Sequence, residues 1–185
     1  MKSQKSKDVV DSKLVLPVAK RDHIQGPIDA PFALLEYGDY ECPYCGDAYP
    51  VVQAVQRQLG ERLCFAFRNF PLVNSHPHAE HAAEAAEAAG AQGKFWEMHD
   101  RLFENQNALD DDDLARYAEE LSLDPQRLLS EVAGGAHSAR VREDFKSGAR
   151  DGVNGTPTFF VNGVRYDGEP GVAALYAALT KANTG

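Results

Sequence analysis

Cysteine is scarce in this sequence. Cys42, Cys45 and Cys64 are the only three, a low and odd count that argues against a structural disulfide framework. Long apolar runs are lacking too. A secretory signal needs an apolar stretch of roughly 7–15 residues and a small-residue cleavage site, and a membrane span needs roughly 18 or more. The best early run, Leu14-Val15-Leu16-Pro17-Val18-Ala19, is short, broken by proline and flanked by charges. The expectation is therefore a soluble, cytoplasmic chain without a membrane partner; had a leader been removed, it would be periplasmic or otherwise extracytoplasmic. Positive charge is in deficit. The net charge of -9 argues against a nucleic acid partner. What basic charge there is gathers early, at Lys2, Lys5, Lys7, Lys13, Lys20 and Arg21, and residues 1–21 read as a flexible basic arm.

The rest is ordinary globular material: 43% of the 185 residues are hydrophobic and 25% charged, enough for one domain, with or without an insertion. Phe32 to Tyr37 has strand composition and stops at Gly38-Asp39. Ala48, Val51, Val52, Val55 and Leu59 recur at helical spacing until Gly60, and Leu63 to Phe67 reads as a second strand. This is a βαβ unit. From Pro77 to about Val153 the pattern is helical. It has an alanine-rich stretch (Ala79 to Ala89), an acidic first turn (Asp110 to Asp113) and a cap-proline pair (Asp124-Pro125). Pro157 to Val161 then reads as a strand, Asn162-Gly163 as a two-residue turn, Val164 to Tyr166 as the partner strand, and Ala173 to Lys181 as a helix.

Cys42 and Cys45 flank Pro43 and Tyr44 at the junction of the first long strand and its helix. Unpaired N–H groups and the helix dipole stabilise a thiolate at such a junction, and proline suits the first turn because it leaves no N–H unpaired. Cys42 is then the exposed sulfur that attacks or is attacked, and Cys45, one turn further in, resolves the mixed disulfide. Two other readings compete. A zinc site would need two more ligands, for which Cys64, His76, His78 and His81 are the candidates, but nothing in the sequence brings them to Cys42. An inert disulfide would close too short a loop to constrain the unfolded chain much. Cys64 reads as a small apolar residue inside a strand, and His76, His78, His81 and His99 as surface or packing residues.

A second motif is Gly155-Thr156-Pro157-Thr158-Phe159-Phe160-Val161. Proline at the start of a buried strand has a reason if the Thr156–Pro157 bond is cis; a trans proline initiating the strand is the alternative.

Together with Glu36 to Cys45, Phe67 to Leu72 and Gly93 to His99, this motif resembles the thioredoxin superfamily, and within it the DsbA-like branch. The resemblance implies an α/β thioredoxin fold (βαβ…ββα) formed by residues 22–71 and 152–185, with an all-helical insertion at 72–151. It implies a thiol:disulfide oxidoreductase that needs no metal or organic cofactor. Its partners would be cysteine-containing proteins or small thiols, plus a redox partner that resets the pair. Thr156 and Pro157 would form a cis-proline loop contacting substrate beside Cys42, and Glu36 would be a buried acid that moves protons. Tyr44 stands where strongly oxidising members carry histidine, so the Cys42 pKa is expected nearer thioredoxin's value of about 7 than DsbA's of about 3.5. Two rivals stay open at this point: a thiol-dependent peroxidase or glutathione-linked enzyme on the same fold, and a non-catalytic module that binds peptide.

Overall fold

The computed structural model describes residues 14–181. Five strands form one sheet in the order β1-β3-β2-β4-β5. They are β1 (His23–Gln25), β2 (Phe32–Gly38), β3 (Leu63–Asn69), β4 (Thr158–Val161) and β5 (Val164–Tyr166). β2 and β3 run parallel, with Leu34 opposite Phe65 and Glu36 opposite Phe67, which requires the crossover helix α1 (Pro43–Leu59) between them. β4 pairs antiparallel with β2, and β5 antiparallel with β4. α7 (Val172–Lys181) closes the second half, giving the expected βαβ and ββα units. Between β3 and β4 lie α2 (Ala79–Ala91), α3 (Phe95–Glu104), α4 (Asp111–Glu120), α5 (Pro125–Ala133) and α6 (Ser138–Arg150). No helix of the described residues is long and apolar enough to cross a membrane.

Alternation along β2 sorts its side chains between two cores. Leu34 joins Phe65, Phe67 and the apolar face of α1; Leu35 and Tyr37 join Ala66, Phe70 and Phe160 on the opposite face. Glu36 therefore points to the α1 side, beneath the cysteines. The small side chains of α2 bury both flanks of that helix, so Ala82, Ala85, Ala86 and Ala89 pack closely into the larger core. Asp110 and Asp124 cap α4 and α5, accepting hydrogen bonds from the Asp113 and Arg127 N–H groups.

The second part of the expected arm, residues 14–21, is not free of the body. Residues 1–13 lie outside those described, but 14–21 pack on the body. The Leu14 N–H donates to the Gly163 carbonyl at 2.9 Å, and the fully buried Arg68 guanidinium donates to the Leu16 and Pro17 carbonyls at 2.9 and 3.2 Å. Arg68 also pairs with the buried Asp22 at 2.9 Å. A cation inside the sheet needs these acceptors, and the segment before β1 supplies them. β1 itself was not legible, because three residues are too few to show a period.

Candidate active site

Cys42 is the N-cap residue of α1, in extended conformation (φ −72°, ψ 120°), and Pro43 follows in the first turn. Its carbonyl accepts from the Cys45 and Gly46 N–H groups, each at 3.1 Å. The Gln106 side-chain amide, from the α3–α4 connection, donates to the Tyr40 and Cys42 carbonyls at 2.9 and 2.8 Å. That amide lies so close that a Cβ on Gly46 would overlap it, which explains glycine after the motif.

The cysteines are free thiols. The Cys42 thiol donates to the Thr156 carbonyl at 3.3 Å, and the Thr156–Pro157 bond is cis. The Thr156 hydroxyl is buried and meets no partner at full hydrogen-bond geometry. The Cys45 sulfur accepts from the Asp39 N–H at 3.5 Å. A hydrogen bond from Cys45 lowers the Cys42 pKa from 9.0 to about 5 against the opposing effect of burial, helped by the Thr156 hydroxyl and the Cys45 and Tyr44 N–H groups. Burial, followed by its hydrogen bond to Cys42 and the charge of Glu36, pushes the Cys45 thiol well up.

Glu36 lies below the pair, 2% exposed, with Oε1 unpartnered. Burial, then the charge of Cys42, lifts its pKa from 4.5 to about 8. A narrow cavity of about 70 Å³, lined also by Tyr49, Gln53, His99 and Asp100, runs past it. His99, held neutral by burial with its pKa down to about 3, pairs with the Tyr40 hydroxyl at 3.1 Å. On the opposite side of Cys42, Tyr44, Ala48, Thr156, Pro157, Phe159 and Tyr166 line an open cleft of about 400 Å³.

With this geometry in view, the comparisons with known proteins are direct. The family model described as "Thioredoxin" matches residues 19–181. The chain belongs to the thioredoxin family. Its fold is DsbA-like. The structure of oxidised BdbD from Bacillus subtilis superposes with a TM-score of 0.84 at 23% identity, covering 97% of this chain and all of that one. A thioredoxin-like oxidoreductase from Silicibacter pomeroyi gives 0.80 at 25% identity, covering 90% of this chain and 95% of that one. In sequence, the chain is 46% identical over 181 residues to a Salinispora arenicola protein named Na(+)/H(+) antiporter NhaA 1. That match takes in 97% of this chain but only 27% of the antiporter, so the chain spans about a quarter of the length of the curated relatives it matches.

This thioredoxin-family site brings together Glu36, Cys42, Pro43, Tyr44, Cys45, Thr156 and Pro157. One expectation needs correction. Cys42 is 3% exposed rather than open to solvent, because the Thr156–Pro157 loop lies across it, while Tyr44 stands out at 71%. The Cys42 pKa of about 5 lies between the two reference values. Sequence reasoning weighed only the missing histidine, and could not count the hydrogen bonds that Cys45 and Thr156 bring to the sulfur.

His78 and His81 are exposed and His99 is a buried packing residue. His76 donates to the buried Asp39 carboxylate at 2.7 Å and His78 pairs with Glu41 at 2.9 Å, so both also stand beside the cysteine loop, a proximity that the sequence did not indicate. Asp39, Gln106 and His76 were missed as site residues. Asp39, two residues before the motif's own start at Glu41, carried the only usable signal. Among the described residues no group of three or more His, Cys, Asp or Glu side chains could hold a metal ion.

Proposed function

We propose that this protein is a thiol:disulfide oxidoreductase working through a mixed disulfide at Cys42. One observation carries the reading: the two thiols are displaced in opposite directions, Cys42 toward the thiolate and Cys45 toward the thiol. In the reducing direction the Cys42 thiolate attacks one sulfur of a substrate disulfide. That bond breaks, the leaving sulfur takes a proton, and a Cys42–substrate disulfide forms. The mixed disulfide removes the Cys42 charge that helps keep Glu36 protonated, so Glu36 can release its proton and, as a carboxylate, take the one on Cys45, which attacks Cys42 Sγ. The second substrate sulfur leaves, and the Cys42–Cys45 disulfide remains with two electrons passed to the substrate. The oxidising direction is the reverse. In either, the cleft by Thr156 and Pro157 receives the substrate chain, and no cofactor takes part.

Insulin reduction and oxidative refolding of a reduced protein test this. Cys42→Ser is expected to abolish exchange and Cys45→Ser to accumulate mixed disulfides; full activity in Cys42→Ser would overturn the reading. The potential of the pair, set by equilibration with glutathione, gives the direction.

Placement in the cytoplasm, with soluble protein or small thiols as substrates, is part of the proposal. Labelling of Cys42 in intact cells by a membrane-impermeant thiol reagent would refute it. A second reading of the setting rests on the high identity to a segment of the named antiporters. On that reading the chain exchanges disulfides beside a membrane transporter, and Cys45→Ser would trap transporter cysteines in cells.

A further inference from the structure

A cavity of about 490 Å³ opens beside the cysteine loop, between it and the start of α4, and no lysine or arginine lines it. Its walls include Glu41, Pro43, His76, His78, Asp110 and Asp113. Three carboxylates in a wall beside the loop that carries Cys42, in a protein of net charge -9, give that side of the loop a negative character that does not favour a thiolate. Among the residues that line it, only the two histidines can carry positive charge.

They are not equivalent. His78, whose Nδ1 and backbone N–H both go to Glu41 at 2.9 and 2.7 Å, has its side chain 50% exposed, so solvent screens any charge it carries, whereas the His76 side chain is 18% exposed. Asp113, in the same wall, is held by Arg116. His76 is built in differently. Asp39, 2% exposed, accepts from the Glu41 N–H, the Leu72 N–H and His76 Nδ1 at 2.8, 2.8 and 2.7 Å. The backbone of the same Asp39 touches both cysteines: its carbonyl accepts from the Cys42 N–H at 3.2 Å and its N–H donates to Cys45 Sγ at 3.5 Å. One residue thus clamps the redox loop and aims the imidazole. With Nδ1 donating to Asp39, Nε2 makes no hydrogen bond to the described residues.

We propose that His76, oriented by Asp39, is the positive partner of the Cys42 thiolate, a positioning residue that sets how readily the thiol ionises. The proposal rests on the reading of Cys42 as the redox nucleophile. The charged groups around His76 are Asp39 and Glu41 from the β2–α1 loop, Cys42 at the head of α1, His78 before α2, and Asp110 and Asp113 at the start of α4. Burial disfavours the imidazolium, but the hydrogen bond and charge of Asp39, then the charges of Cys42 and Glu41, outweigh it and raise the His76 pKa. No proton passes between the two side chains. Cys42 releases its proton to solvent, and His76 keeps Nε2–H while the thiolate persists. When the Cys42–Cys45 disulfide forms, the anion disappears and the imidazolium loses that support.

The test titrates the Cys42 thiolate by its ultraviolet absorbance in the parent, His76→Gln and His76→Lys proteins. In His76→Gln the Cys42 pKa is expected to rise by about 0.5 to 1, a three- to tenfold loss of thiolate on the acid side of the curve. His76→Lys, which keeps a cation, should stay near the parent. Coupling is reciprocal, so NMR titration of His76 in the parent should show its pKa falling on oxidation by the same amount. Superimposable thiol titrations of parent and His76→Gln would overturn the proposal, as would a His76 pKa equal in both redox states; the NMR arm decides if the variant fails to fold. Insulin reduction by the parent is read separately. An inactive parent with the expected shifts would defeat the functional reading and leave the electrostatic pairing standing.

Discussion

Glu36→Gln should change how stability depends on pH in the reduced protein, because Glu36 and Cys42 oppose one another. Glu36 has a folded-state pKa of about 8 against 4.5 unfolded, so the native state holds the extra proton between those values and stability falls as pH rises. Cys42 is the reverse case: about 5 folded against 9.0 unfolded, so its contribution grows above pH 5 and is lost as pH falls through 5. Between pH 5 and pH 7 each group spans nearly two pH units at about 1.4 kcal/mol per unit, or about 2–3 kcal/mol with opposite sign. The two therefore nearly cancel, and the reduced parent keeps the rise contributed by other groups, chiefly the buried His99, whose pKa of about 3 folded against 6.5 unfolded adds about 2 kcal/mol over this window. Relative to the parent, Glu36→Gln, which cannot ionise, should gain a further increment of about 2–3 kcal/mol from pH 5 to pH 7, and Cys42→Ser should lose about the same. Urea unfolding under reducing conditions at pH 5, 6 and 7 measures all three. A Glu36→Gln profile parallel to the parent's would refute a carboxyl held protonated beneath the cysteines.

Three further substitutions probe the frame that carries the site. Arg68→Met strands the buried Asp22 carboxylate and should cost about 3–5 kcal/mol in urea unfolding, with residues 14–21 becoming protease-sensitive because their carbonyls lose the guanidinium. Gly148→Ala would bring a Cβ within 2.8 Å of the Phe70 ring and 3.0 Å of the Tyr37 ring. It should destabilise by about 1–3 kcal/mol, seen as a lower thermal midpoint without change in the Cys42 titration. Asp110→Ala removes the cap of α4 at a cost of about 1 kcal/mol, measurable in the same unfolding assay.

What was legible in the sequence had either a period or a chemical reason local to it. Leu34 to Tyr37 and Leu63 to Phe67 carry β-forming side chains in runs, and α1 shows its buried face in the spacing of Ala48, Val52, Val55 and Leu59. Asp110 and Asp124 announced helix starts because capping depends on residues two or three positions away. What was not legible depends on partners distant in the chain. Nothing near Gln106 indicates that its amide will reach the Cys42 carbonyl, 64 positions earlier. His76 looked like a surface residue because its partner, Asp39, belongs to a different loop. The contribution of the Thr156 side chain to the Cys42 pKa was not legible for the same reason, since it comes from 114 positions away.

Glu36 and Asp39 show what folding adds to residue type. They are three positions apart, each 2% exposed, and each within the influence of the cysteines. Glu36 lies in the middle of a sheet face, where neighbouring backbone groups are spent on the β2–β3 and β2–β4 ladders, so Oε1 finds no donor and the carboxyl keeps its proton at neutral pH. Asp39 lies just past the strand, where the chain turns into α1 and free N–H groups converge, so it gathers three donors, one of them His76. A carboxyl without donors suits proton exchange with Cys45; a carboxyl with three suits holding a loop and an imidazole in place. The end of the ladder at Gly38 divides the two roles, and moving either acid across that boundary would exchange the donors on which its role depends.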